Sequence, residues 1–168
     1  MSQMSYVKKL ALAGLLVGLG VALSPFSIPV GVARAFPIQH LINVVAGVLL
    51  GPWYAVSMAF TTSLIRNILG TGTFLAFPGS MFGALFAGLA AKHMGNRLLP
   101  ACAAELIGTG LFGALAAYPV AAFLMGREAS MFGFVLPFVV SSLCGAAIAF
   151  ALLRILANVF KTNVSGVL

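Results

Sequence analysis

Proline, glycine and most of the charged residues interrupt a chain that is otherwise almost continuously apolar. The first apolar run starts near Leu10 and stops at Ser24-Pro25, where the residue before a proline is driven out of the helical region. A second run stops in the same way at Gly51-Pro52, and a third opens on Trp53-Tyr54, an aromatic pair suited to a membrane interface. The stretch "GTGTFLAFPG", residues 70–79, separates the third run from the fourth. This punctuation predicts six apolar helices, at about 8–23, 38–51, 53–69, 79–92, 100–126 and 131–158, with longer connections at 24–37 and 70–78. The Gly51-Pro52 connection is short enough to force the second and third helices into an antiparallel hairpin.

Composition makes the solvent of these helices clear. The 168 residues are 62% hydrophobic and 7% charged, with a mean hydropathy of +1.15, well outside the range of a soluble domain. A span needs about 20 apolar residues, so residues 1–168 form one membrane domain, and the shorter second and fourth helices need little tilt, a thinned bilayer or extension into their loops. The expected fold class is therefore an all-α integral membrane protein, a six-transmembrane-helix bundle.

The net charge of +7 contains no basic run longer than Lys8-Lys9, so it marks topology and no nucleic-acid partner. With six spans, Lys8, Lys9, Lys92, Arg97, Arg154 and Lys161 share one side, and only Arg34, Arg66 and Arg127 lie opposite. The rule that cytoplasmic loops carry the excess of Lys and Arg puts both termini in the cytoplasm and the connections 24–37 and 70–78 outside. Lys8-Lys9, the first apolar run and Ala33-Arg34-Ala35 imitate a signal peptide, but the long stretch with Pro25 and Pro29 between run and alanines favours a retained first helix.

The few polar residues inside the helices cluster at one end of the second and third. Gln39, His40 and Asn43 start the second helix, and Ser63, Arg66 and Asn67 end the third, so the hairpin brings His40, Asn43, Arg66 and Asn67 to one depth. A membrane-embedded arginine normally faces a bundle interior and has a partner, and no acid is expected near Arg66, so a carbonyl or a ligand must serve. Aromatic residues at the same end (Phe26, Phe36, Phe74, Phe77 and Tyr118) can stack on a flat ring. With Arg34 in the first connection and Thr71 in the third, these define a candidate binding site of Arg34, Phe36, His40, Asn43, Arg66, Asn67, Thr71, Phe77 and Tyr118. Glu105 is expected near the inner start of the fifth helix, where the helix dipole favours negative charge, with Thr109 one turn on.

Small residues recur every fourth position in the first, fourth, fifth and sixth helices, a pattern that lets helices approach closely in lipid. On the first helix, Gly14, Gly18 and Ala22, with Ala11 as a further member, form a smooth face on which a partner subunit can dock. Cys102 and Cys144 lie in different apolar runs and imply neither a disulfide nor a metal site. No lysine follows a glycine, which excludes the usual phosphate-binding loop, and no paired nucleophile and base suggests an enzyme. No cofactor or metal is expected.

The segments "SPFSIPVGVARAFPIQH", "GVLLGPWYA", "RNILGTGTFLAFPGSMFGAL" and "GTGLFGALAAYPV" together resemble the ThiW family, thiazole-specific S components of energy-coupling factor transporters. The resemblance implies a six-helix subunit of a bacterial plasma membrane that captures hydroxyethylthiazole, a thiamine precursor, under the first and third outer loops. It also implies three partners, a coupling transmembrane protein and two cytoplasmic ATPases, with Ala11, Gly14, Gly18 and Ala22 matching the family's coupling ladder. Two arginines near one cavity also suit an anionic or phosphorylated thiazole, or another small vitamin precursor. An ion-coupled secondary transporter that uses Glu105 is the alternative from another class.

Overall fold

The computed structural model describes residues 4–30, 33–95, 97–126, 128 and 130–159. Arg127 and Lys161, which enter the charge partition, lie outside the described residues. Helices occupy all six apolar runs: α1 (Tyr6–Ala22), α2 (Pro37–Leu50), α3 (Pro52–Ile68), α4 (Ala76–His93), α5 (Leu98–Leu124) and α6 (Val135–Val159). By length and composition α5 and, over Val135–Asn158, α6 are able to cross a membrane alone, while α2 is a shorter apolar helix.

Local chemistry sets the boundaries. Ser5 caps α1, accepting from the Lys8 N–H, and α2 and α3 each begin with a proline, whose missing N–H has no helical partner at that position anyway. Between them Gly51 adopts φ +90°, which turns the chain sharply enough to pack α3 antiparallel to α2. The same tolerance for a first-turn proline lets α4 start at Ala76 and absorb Phe77 and Pro78, residues expected in a loop. At the other end of the chain, α6 starts at Val135, after a turn over 131–134 that had been expected to be helical.

One element is absent from the sequence expectation. Two strands, β1 (Ile28–Val30) and β2 (Ala33–Ala35), pair as an antiparallel hairpin, with Pro29 opposite Arg34 and Ile28 opposite Ala35. Prolines at 25 and 29 forbid helix here, and an isolated two-stranded ribbon tolerates a proline because its outer N–H groups pair with nothing. Ala35 is fully buried, so the hairpin is packed onto the bundle at the β2 side.

The core is organised around α2, which touches every other helix. Its sequence is apolar on all sides apart from Gln39, His40 and Asn43, the pattern of a helix with no solvent-facing stripe. Glycines allow the close approaches: a Cβ on Gly145 of α6 would stand 2.6 Å from His40 Cβ, and one on Gly83 of α4 would stand 2.6 Å from Glu105 Oε1. The small-residue ladders of α4, α5 and α6 are buried, whereas Ala11, Gly14, Gly18 and Ala22 of α1 are all exposed, with nothing within 4 Å of where a Cβ would sit on either glycine. α5 carries two wider turns, at Gly108–Gly113 and Val120–Leu124, the first of which lies directly after Glu105 and against α4.

These contacts predict opposite outcomes for two glycine substitutions. Gly83→Ala forces a methyl group onto Glu105 and Thr109 and should cost about 1–3 kcal/mol, whereas Gly14→Ala, which meets nothing, should be neutral or slightly stabilising. Thermal unfolding of both variants in detergent checks the difference, and equal midpoints would contradict the packing.

Candidate functional site

Glu105 is fully buried and sits at the junction of four helices. From α2, His40 Nδ1 lies 2.7 Å from its Oε1, and Asn43 Nδ2 reaches the same oxygen at 3.4 Å. From α5 itself Thr109 Oγ1 is 2.9 Å from Oε1, one helical turn on, and from α6 the Ser142 hydroxyl donates to Oε2. α4 contributes backbone: Asn43 also donates to the Ser80 carbonyl at 3.1 Å, and Thr109 Oγ1 lies 3.1 Å from the Gly79 carbonyl.

This corrects the expected position of Glu105. It does not sit at the helix start near free backbone N–H groups; it is a full two turns in, with side chains as partners. Helix length explains the error. α2 has 14 residues, about 21 Å, against about 40 Å for the 27 residues of α5, so the start of α2 stops partway along its neighbour. His40 is about 15 Å from the Leu50 end of α2, and Glu105 about 10 Å from the Leu98 end of α5, so they lie within about one helical turn of each other, a gap their side chains close.

A second polar chain runs from this junction to α3. Arg66 is 1% exposed; it donates through one terminal nitrogen to Gln39 Oε1 and through the other to the Thr71 carbonyl at 3.3 Å. The guanidinium also lies 4.4 Å over the Phe36 ring, an attractive placement for a cation. Gln39 Nε2 then donates to Ser63 Oγ at 3.1 Å, and Ser63 and Ser80 hydroxyls pair at 3.1 Å. A carbonyl, an amide oxygen and an aromatic face thus take the place of the missing acid.

Above these chains lies a cavity of about 440 Å³, large enough for a small organic molecule. Gln39, His40, Arg66 and Ser80 give it a polar floor, Phe36, Phe134 and Phe138 give it aromatic walls, and the exposed Arg34 and Glu128 stand at its mouth. Of the sequence candidates, Arg34, Phe36, His40 and Arg66 line it. Asn43 lies below, on Glu105; Asn67 donates to the carbonyls of Ser63 and Thr73 and closes the end of α3. Thr71 Oγ1 accepts from Ser24, Phe77 packs on Phe60 with ring centroids 5.5 Å apart, and Tyr118 is half-buried away from the lining. Phe26 and Phe74 are exposed and do not line it either.

Sequence reasoning missed Phe134 in the turn before α6 and Pro137, Phe138 and Ser141 in its first two turns, together with Glu128, so the cavity does have an acid at its rim. The signal was available for α6: Phe134, Phe138 and Ser141 fall at spacings of four and three, one face of a helix. The loop carrying Arg34 is fastened at both ends, by Ser24 Oγ donating to Thr71 Oγ1 at 3.0 Å and by the Phe36 N–H donating to Ser141 Oγ at 2.7 Å.

Apolar helices around a cavity with a polar floor and aromatic walls fit a membrane protein of the small-molecule transport class. The family model ThiW, thiamine-precursor transporter protein, matches residues 10–159, and the chain belongs to that family. No curated protein and no solved structure matches it.

Removing one donor from the buried carboxylate should be felt directly. Ser142→Ala is expected to lower stability by about 1–3 kcal/mol, since the fully buried Glu105 loses the partner of its Oε2. Chemical unfolding in detergent measures the loss, and an unchanged midpoint would mean that Oε2 has another partner.

Proposed function

We propose that the protein is the substrate-capturing subunit of an ATP-driven importer of the energy-coupling factor kind, taking up hydroxyethylthiazole in a bacterial plasma membrane. Its six helices span the bilayer, with both termini cytoplasmic and the cavity mouth outside. The observation that carries the reading is the cavity itself, whose polar floor of Gln39, His40 and Arg66 and walls of Phe36, Phe134 and Phe138 suit a small heteroaromatic alcohol. Membership of a family of thiamine-precursor transporters supports the same substrate class.

In this reading the chain binds and releases solute and performs no chemistry. Arg34 closes over the solute from β2, and the fastened ends of its loop at Ser24 and Phe36 act as the points about which it moves. Ala11, Gly14, Gly18 and Ala22 form the face that meets a coupling membrane subunit, itself driven by two cytoplasmic ATPases. Their common exposure on α1, in contrast to the buried ladders of the other helices, favours that role. A second reading, an ion-coupled transporter, draws on Glu105, a membrane-buried acid beside His40. Uptake by a strain without the ATPases, abolished by Glu105→Gln, would select it.

Purified protein should bind hydroxyethylthiazole without ATP, and Arg66→Ala should weaken binding by about tenfold or more, because Gln39 and Phe36 lose the group that holds them. Calorimetry in detergent measures this; an unchanged affinity would place the ligand elsewhere. Gly18→Leu should leave that affinity intact and stop uptake in cells carrying the complete importer. Loss of binding instead would assign the α1 ladder to the stability of the bundle.

A further inference from the structure

His40 meets Glu105 through one ring nitrogen. Nδ1 is 2.7 Å from Oε1, and the carboxylate is otherwise surrounded by the amide of Asn43 and the hydroxyls of Thr109 and Ser142. These are the partners that a carboxylate, which only accepts, can satisfy, and a carboxylate so held takes a hydrogen from Nδ1. In a neutral imidazole the hydrogen on Nδ1 leaves Nε2 bare, with a lone pair to offer. Nε2 has no hydrogen-bond partner among the described residues, yet it is not one of the buried unpartnered side-chain atoms there, which are Thr62 Oγ1 and Arg66 Nε. Since His40 lines the cavity, Nε2 opens into it.

The other side-chain acceptors on the floor each have a partner. Arg66 has only donors, Gln39 spends its oxygen on Arg66 and its amide on Ser63, and the Ser80 hydroxyl donates to the Ala76 carbonyl at 2.7 Å. Ser141 accepts from the Phe36 N–H, and Glu128 is exposed at the mouth. Among the described side chains of the floor, His40 Nε2 is therefore the acceptor without a partner, while the Ser80 and Ser141 hydroxyls each keep one further lone pair.

We propose that Glu105 is a positioning residue that holds His40 as the Nδ1–H tautomer, so that Nε2 accepts a hydrogen bond from a hydroxyl or N–H of the transported molecule. Glu105 acts through His40 and does not touch the ligand. On the thiazole reading above, on which the ligand half of this inference rests, the donor is the hydroxyl of the hydroxyethyl arm. The cavity then selects alcohols over ethers of the same shape, because an ether brings no hydrogen to Nε2 and leaves it unpaired.

The chain has two histidines, so His93→Gln leaves His40 alone to be read by nitrogen-15 NMR of histidine-labelled, full-length protein in detergent. The expected spectrum has the proton on Nδ1 and a bare Nε2, retained in Thr109→Val and lost in Glu105→Ala. A proton on Nε2, or on both nitrogens, overturns the proposal, and the spectrum of protein with Glu105 intact decides this even if Glu105→Ala does not fold. Calorimetry with hydroxyethylthiazole and its methyl ether supplies the second arm: the ether should bind about tenfold or more weakly, the worth of one hydrogen bond to a buried acceptor. Equal affinities would overturn the hydroxyl contact. If neither compound binds while the proton sits on Nδ1, the thiazole assignment fails and the tautomer assignment stands.

Discussion

A carboxylate buried among apolar helices has to find every partner within the protein, and that requirement ties this bundle together. Glu105 draws hydrogen-bonding side chains from α2, α5 and α6 to one point, and α4 can come alongside only because residue 83 lacks a side chain. Each of these groups is costly if left unpaired away from water, so the arrangement is mutual: shifting any one helix strands groups on two others. Lipid offers no hydrophobic drive for helices to associate, and a polar junction of this kind, with close glycine contacts around it, supplies the specificity that packing alone lacks.

The cavity follows from the same arrangement. α2 is held low by its contact with Glu105 and is too short to run the length of α5 and α6, so its start leaves room beneath the β1–β2 hairpin. Arg66 and Gln39 close the side of that room towards α3, and Phe138 of α6 with Phe134 just before it supply the opposite side. The floor belongs to helices, with His40 of α2 fixed directly on Glu105 and Arg66 of α3 tied in through Gln39, whereas Arg34 and Glu128 at the mouth lie on a strand and in a connection. The floor of the cavity and its mouth therefore belong to different parts of the chain.

The helices were legible in the sequence because proline and glycine mark nearly all their ends, and α2 with α3 was recognisable as a hairpin from Gly51-Pro52 alone. The β1–β2 hairpin was not, since strands of three residues with a proline carry no alternating pattern to read. Grouping His40 with Asn43 and Arg66 was within reach of helical spacing, but joining them to Glu105 was not, because depth was judged from helix ends as if all helices were equally long. Phe134 and Phe138 were hidden for a different reason: with 14 phenylalanines in the chain, a ring facing the cavity looks in sequence like one facing lipid.

The β1–β2 ribbon also joins α1, which bears the exposed small-residue face, to the start of α2 and thus to the cavity rim. Ser24 and Phe36 pin it at either end, leaving a span of backbone whose only covalent neighbours are those two helices. Along the chain α1 is thus joined first to the mouth where Arg34 stands, and it meets α2 and α3 through packing, as where Gly20 lies against Ile42 and Thr62.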